Sequence, residues 1–87
     1  MSIIQFSESA WDDYLYWQVQ DKKTLKKINN LLKEISRTGS TRIGKAEFLK
    51  GDLSGSVSVR IDGVNRLVYR VENGVIKVEQ CKGHYED

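Results

Sequence analysis

Two dipeptides, Asp62-Gly63 and Asn73-Gly74, cut the last third of this 87-residue chain into three short alternating segments. Such pairs accommodate the positive φ that tight hairpin turns demand, so they signal antiparallel pairing of the segments beside them. In the first segment Val57, Val59 and Ile61 share one face, and Ser56, Ser58 and Arg60 the other. The second sets Leu67, Tyr69 and Val71 against Arg66, Val68 and Arg70. The third runs from Val75 to Cys81 and leads into Lys82-Gly83-His84-Tyr85. Between Leu53 and Tyr85 this pattern predicts a three-stranded meander with one apolar face. The opposite face carries arginines, has a histidine and a tyrosine at its end, and is read as the working surface.

Burial also predicts the register. A strict two-residue loop at Asp62-Gly63 pairs Val59 with Arg66 and puts an arginine among apolar side chains. A three-residue loop, or a bulge, pairs Arg60 with Arg66 instead. A slip of one residue flips every side chain to the other face, so the second register is expected. Asn73-Gly74 keeps a two-residue turn, with Ile76 and Val78 on the core face and Cys81 across from Arg66. Strict alternation from Ile76 sends His84 toward the core. A break near Lys82-Gly83 is therefore expected, turning His84 toward Arg66 and Glu47.

Upstream, Ile3, Ile4 and Phe6 read as a first strand. Ser7 suits a helix N-cap, with Glu8 in the first turn where the helix dipole favours an acid. Trp11, Tyr14, Leu15 and Val19 form one helical stripe, with Asp12 and Asp13 facing away and Trp17 flanking the core or partly exposed. A break at Gln20-Asp21 precedes a second helix over 22–37, where Leu25, Ile28, Leu31, Leu32 and Ile35 keep helical spacing; Gly39 suits its end. Residues 39–52 read as a long connection anchored by Phe48 and Leu49. The predicted fold is α+β with order β-α-α-β-β-β: one domain, 1–87, in which two N-terminal helices cover one face of a mostly antiparallel sheet.

A chain of this length has apolar residues for one core. No apolar run approaches the ~20 residues that span a bilayer. The first residues lack the basic and apolar regions of a signal peptide. The single cysteine, Cys81, has no partner for an internal disulfide, which fits the cytoplasm. Nine of the fourteen Lys and Arg fall within 22–50, against two acids there, while 1–21 carry four acids and no base. A basic middle suits an anionic partner, RNA or an acidic protein, or is simply a solvated helix face.

Residues with chemistry are few: Glu47, Arg60, Arg66, His84 and Tyr85, with Lys45, Lys50 and Lys82 nearby in sequence. One histidine and one cysteine make a poor metal site, and no glycine motif cradles a phosphate, so no metal or cofactor is expected. An acid, a histidine and several guanidiniums suit metal-free phosphodiester transfer. One group takes a proton, another protonates the leaving oxygen, and cations stabilise the charged transition state. Taken singly, each residue also has a plain role as a surface charge or a packing group.

Several collinear segments alter that balance. They are 9–17 (Ser-Ala-Trp-Asp-Asp-Tyr-Leu-Tyr-Trp), Lys26-Lys27-Ile28-Asn29, 44–50 (Gly-Lys-Ala-Glu-Phe-Leu-Lys), Asp52-Leu53-Ser54-Gly55, Arg60-Ile61, Arg66-Leu67-Val68-Tyr69 and His84-Tyr85. Together they resemble the YoeB/Txe family of bacterial toxins, a branch of the RelE superfamily. The resemblance implies a RelE-like fold and a ribosome-dependent mRNA endonuclease of a type II toxin–antitoxin pair, acting without a metal. The implied partners are mRNA on the ribosome, ribosomal RNA and a YefM/Phd-like antitoxin, with a homodimer also considered. Glu47 resembles the family's general base and His84 its general acid. Arg60 and Arg66 resemble its phosphate-binding arginines, Arg66 within the catalytic set, and Tyr85 its RNA-contacting tyrosine. Lys45 and Lys50 are read as further substrate-binding cations. The chain departs from the family pattern in having Ala46 and Phe48 for prolines, Val57 and Val59 for an aromatic and a cation, Asn65 for a histidine, and Glu86-Asp87 after the tyrosine. Two rivals remain: a catalytically weak module of the same fold that binds ribosome, RNA or antitoxin without cutting, and a DNA-binding repressor, for which no helix-turn-helix spacing exists.

Overall fold

The computed structural model of the chain describes residues 3–38, 46–51 and 55–83. Its elements are β1 (Ile3–Phe6), α1 (Glu8–Gln20), α2 (Lys22–Thr38), β2 (Ala46–Phe48), β3 (Val57–Arg60), β4 (Arg66–Glu72) and β5 (Val75–Gln80). The strands form one sheet in the order β1-β5-β4-β3-β2. Three pairings are antiparallel, and β1 lies parallel to β5 with Ile4 opposite Ile76. Two helices on one face of a mostly antiparallel sheet is the predicted α+β architecture, with one added strand. That strand, β2, lies inside the stretch read as a long connection and pairs along β3, Glu47 opposite Ser58. The anchoring expected of the Phe48-Leu49 pair falls to Leu49 alone, which is buried, while Phe48 is 83% exposed. Gly39, expected to end α2, lies outside the described residues.

Helix ends follow local chemistry. The Ser7 hydroxyl accepts the Ala10 N–H at 3.1 Å, as an N-cap should. Asp21 both closes α1, through its N–H to the Trp17 carbonyl, and opens α2, its carboxylate accepting from Lys23 N, Thr24 N and the Thr24 hydroxyl. In α2, Ile28, Leu31, Leu32 and Ile35 are buried and Leu25 packs against them, as the spacing predicts.

The buried face of α1 differs from the predicted stripe. Ala10 and Trp17 are buried and Tyr14 packs on the core, whereas Trp11, Leu15 and Val19 are exposed at 47%, 39% and 79%. Asp13, expected to face away, accepts the Cys81 N–H through Oδ2 at 3.1 Å. The Trp17 indole donates to the Cys81 carbonyl at 2.8 Å. Two bonds to the backbone of one residue, Cys81, therefore rotate α1 so that 10, 13, 14 and 17 face the sheet. Trp11 keeps a role at the edge, stacked on Tyr14, with Phe6 edge-on to both rings.

The sheet's core face carries Val59, Ile61, Leu67, Tyr69, Ile76, Val78 and Cys81, all within the apolar cluster shared with the helices. The register β3–β4 is the one expected from burial, with Arg60 opposite Arg66 and Val59 opposite Leu67. At the other turn Asn73 and Gly74 both take positive φ (51° and 78°) and join Glu72 directly to Val75. The chain bends at Lys82-Gly83 as expected, with Gly83 at φ 75°, and β5 carries a further irregularity before it. Tyr69 faces Val78 but Val68 faces Gln80, so Glu79 is an extra residue, a bulge. It returns Cys81 to the core, and it moves Cys81 out of line with Arg66, whose N–H bonds the Gly83 carbonyl instead. The face away from the helices is also less open than its sequence suggests, since Ser56, Ser58, Val68 and Leu49 are buried outside the helix-side cluster.

Burial, with Asp13 nearby, pushes the Cys81 thiol up to about 12. Thiolate is the reactive form, so a thiol reagent is expected to leave Cys81 unmodified until the chain unfolds. Rapid labelling under native conditions would contradict that burial. Trp17→Phe leaves the Cys81 carbonyl without its donor and should cost about 1–3 kcal/mol, read as a lower denaturation midpoint; an unchanged midpoint would show that the bond contributes nothing.

Candidate active site

The pairing of β2, β3 and β4 decides which polar residues meet. Glu47 stands opposite Ser58, and Ser58 opposite Val68, which in turn faces Gln80. This cross-strand row lies on the face away from the helices, because Val59 and Leu67 point into the core. Two residues along, Arg60 and Arg66 stand opposite each other on the same face. Neighbouring strands are about 4.8 Å apart and two residues along a strand span about 6.8 Å. Glu47 is thus diagonal to Arg60, and about 10 Å across the sheet from the β4 row that holds Arg66. A carboxylate and two guanidiniums line a patch wide enough for a phosphodiester.

The guanidinium of Arg66 is held at the end of the sheet. Its Nη1 donates to the carbonyls of Asp62 at 2.8 Å and Asn65 at 3.2 Å. Both carbonyls belong to the β3–β4 loop, whose geometry differs from the positive-φ turn expected of Asp62-Gly63. Among the described residues neither Asp62 nor Gly63 has positive φ. The Asp62 carboxylate organises the loop instead, accepting from Val64 N, Asn65 N and the Asn65 side-chain amide. Ile61 N closes it onto the Asn65 carbonyl, leaving three residues in the loop, and this sets Arg60 against Arg66.

Partial burial works to raise the Asp62 pKa. The hydrogen bonds from Asn65 and Val64 outweigh it, with Lys27 of α2 adding its charge, and hold the carboxyl below its ordinary 3.8. Lys27 belongs to the lysine-rich side of α2, so that basic face reaches the loop beside Arg66. Arg60 and Lys50 are exposed, and Arg66 is half-buried. Farther along the same face Arg70 bonds Glu79 and the Ser56 hydroxyl, and Ser56 bonds Glu79. Arg70 is thereby committed to carboxylates. Among the described residues no group of three or more His, Cys, Asp or Glu is placed to hold a metal ion.

Of the residues singled out from sequence, Glu47, Arg60 and Arg66 are brought together on one face, with Lys50 just past the end of β2. Lys45, His84, Tyr85 and the acids Glu86-Asp87 lie outside the described residues. The described chain ends at Gly83, beside Arg66. Gly83 has φ of 75°, and a Cβ there would meet nothing within 4 Å, so conformation alone favours glycine. Its N–H donates to Asn65 Oδ1 at 2.7 Å, and its carbonyl accepts from Arg66 N and Gln80 Nε2. Lys82 sits over the Tyr16 ring at 3.8 Å. The sequence reading missed Asp62, Asn65 and Gln80 as polar partners of this end. The three-residue spacing of Asp62 and Asn65, suited to a side-chain-capped turn, was the available signal.

Comparison with known proteins bears on this patch. Residues 6–85 match a family model described as the YoeB-like toxin of bacterial type II toxin-antitoxin systems. Toxin YoeB of Escherichia coli (strain K12) is 49% identical over 80 residues, 92% of this chain and 95% of that protein. A solved YoeB-YefM complex from Staphylococcus aureus superposes with a TM-score of 0.88 at 49% identity, covering 98% of this chain and 99% of that one. A YoeB dimer from the same organism gives 0.88 at 50% identity over 97% and 98%.

The Asp62 loop makes a prediction for pH. A carboxyl with a lowered folded-state pKa stabilises above its unfolded pKa, and that contribution fades as pH falls through the folded value. Wild-type stability should therefore fall more steeply than that of Asp62→Asn below about pH 5, as followed by chemical denaturation at stepped pH. Parallel curves for the two proteins would contradict the loop's role.

Proposed function

This chain belongs to the YoeB-like toxins of bacterial type II toxin-antitoxin systems, and from that membership we propose that it is a ribosome-dependent endoribonuclease that cuts mRNA in the cytoplasm. The observation that carries this reading is the sharing of one sheet face by Glu47, Arg60 and Arg66, set by the pairings Glu47–Ser58 and Arg60–Arg66.

In the proposed reaction Glu47 takes the proton of a ribose 2′-OH, whose oxygen attacks the adjacent 3′-phosphate. The new bond joins O2′ to phosphorus, and the bond from phosphorus to the 5′-oxygen of the next nucleotide breaks. Arg66 and Arg60 neutralise the charge that builds on the phosphoryl oxygens. His84 gives its proton to the leaving 5′-oxygen. The products are a 2′,3′-cyclic phosphate and a free 5′-OH. Only RNA supplies the nucleophile. Tyr85 contacts the base or ribose, and Lys45 and Lys50 follow the backbone. No metal takes part in this scheme.

The ribosome enters for a physical reason. Two guanidiniums, one of them tied to loop carbonyls, give little hold on a flexible strand, whereas a template that fixes the scissile phosphate supplies several kcal/mol of positioning. The lysine-rich side of α2, which reaches the β3–β4 loop through Lys27, suits ribosomal RNA. A YefM-like antitoxin is the proposed inhibitor and a second copy of the chain a proposed partner, by analogy with the Staphylococcus aureus assemblies.

Purified protein with ribosomes and mRNA, beside mRNA alone, tests the reading. Cleavage is expected only with ribosomes; efficient cutting of naked mRNA would overturn ribosome dependence, and no cutting in either mixture would favour a binding module. Glu47→Gln and His84→Gln should each lower the cleavage rate by about 10²–10⁴ with the fold intact. Full growth arrest by both variants at equal expression would refute the assigned roles.

A further inference from the structure

Asn65 of the β3–β4 loop, Arg66 at the start of β4 and Gln80 at the end of β5 together hold both the N–H and the carbonyl of Gly83. Asn65 Oδ1 accepts the Gly83 N–H at 2.7 Å, and Gln80 Nε2 donates to the Gly83 carbonyl at 3.1 Å and to the Lys82 carbonyl at 3.2 Å. Asn65 is itself fixed, its amide nitrogen donating to both carboxylate oxygens of Asp62 at 3.2 and 3.0 Å. Arg66 joins the same ring of bonds twice, through its N–H to the Gly83 carbonyl and its guanidinium to the Asp62 and Asn65 carbonyls. None of Asp62, Asn65, Gln80 or Gly83 belongs to the apolar cluster that holds helices to sheet.

We propose that Asn65 and Gln80 are positioning residues that set the backbone entering His84 against Arg66. The physical case lies in what the clamp restrains. Gly83 alone has many backbone states open to it, and its positive φ is one that few other residues adopt readily. Ordering a backbone residue costs about 1–2 kcal/mol. Three hydrogen bonds to one residue offset that cost and select a single direction for the next Cα. The residue that follows is His84, and the clamp's other end is the arginine next to it in the proposed chemistry. This inference rests on the reading of His84 as the general acid.

His84 is the chain's single histidine, so its ring signals in an NMR spectrum are unambiguous. Asn65→Ala and Gln80→Ala are compared with Val64→Ala, an exposed residue of the same loop. Both clamp variants should shift the His84 ring resonances and move its titration midpoint, while Val64→Ala leaves them in place. With ribosome-bound mRNA, the single-turnover rate should fall roughly 10- to 100-fold without weaker ribosome binding. In a His84→Gln background the same substitutions should cost nothing further, since they act through the missing ring. Unchanged histidine signals, or losses that add to that of His84→Gln, would overturn the proposal. If Asn65→Ala fails to fold, Gln80→Ala decides, as it leaves the loop's own bonds intact. A wild-type protein that cuts nothing, yet whose histidine responds as expected, would remove the cleavage reading and keep the clamp.

Discussion

The Asp62 carboxylate is the group on which the sheet's arrangement depends. By taking the N–H groups of Val64 and Asn65 it closes a three-residue loop, and that loop length fixes which residues of β3 and β4 face each other. One residue fewer would exchange the two faces of β4, exposing Leu67 and Tyr69 and driving Arg66 under the helices. Burial of the apolar side chains and bonding within the loop favour the same register, a mark of a consistent sequence. The partners of the candidate site inherit that register: Glu47 is carried on β2 along β3, and Arg66 begins β4.

Much of this was legible because the signals are local and periodic. The α2 stripe repeats over about three turns, Asn73-Gly74 has few other conformations as favourable, and Ser7 stands where a helix lacks acceptors for its first amides. The face of α1 was not legible. Apolar residues at 11, 14, 15, 17 and 19 surround most of that helix, so several rotations look alike. The choice among them is made by Trp17 and Asp13 reaching the two ends of Cys81, and that residue lies more than sixty residues away in sequence. Likewise β2 is a three-residue edge strand in a charged stretch, too short for any period to show, and Glu79 bulges with neither glycine nor proline to mark it.

The candidate site divides in the same way. Alternation together with burial put Arg60 and Arg66 on one face; Glu47 stood among the few residues with chemistry, family resemblance gave it a role, and β2 pairing brought it alongside. The polar ring around Gly83 was not read from the sequence, because the Asp62–Asn65 spacing marks only a turn and Gln80 carries no signal of its own. They become a unit only when β4 and β5 are paired with one residue out of step. The bulge at Glu79 thus does two things at once: it returns Cys81 to the interior and sets Gln80 opposite Val68.

The parallel pairing of β1 with β5 has a consequence for how the chain is made. The first strand's partner is made long after it; the Ser7 hydroxyl bonds the Glu79 carbonyl 72 positions later. Contacts that close so long a loop form late and slowly. Until β5 emerges from the exit tunnel, β1 has no neighbour, α1 lacks the residue that orients it, and Arg66 lacks the glycine that steadies its strand. A copy made only as far as β4 therefore holds its parts without their arrangement, and the domain assembles only once β5 is available.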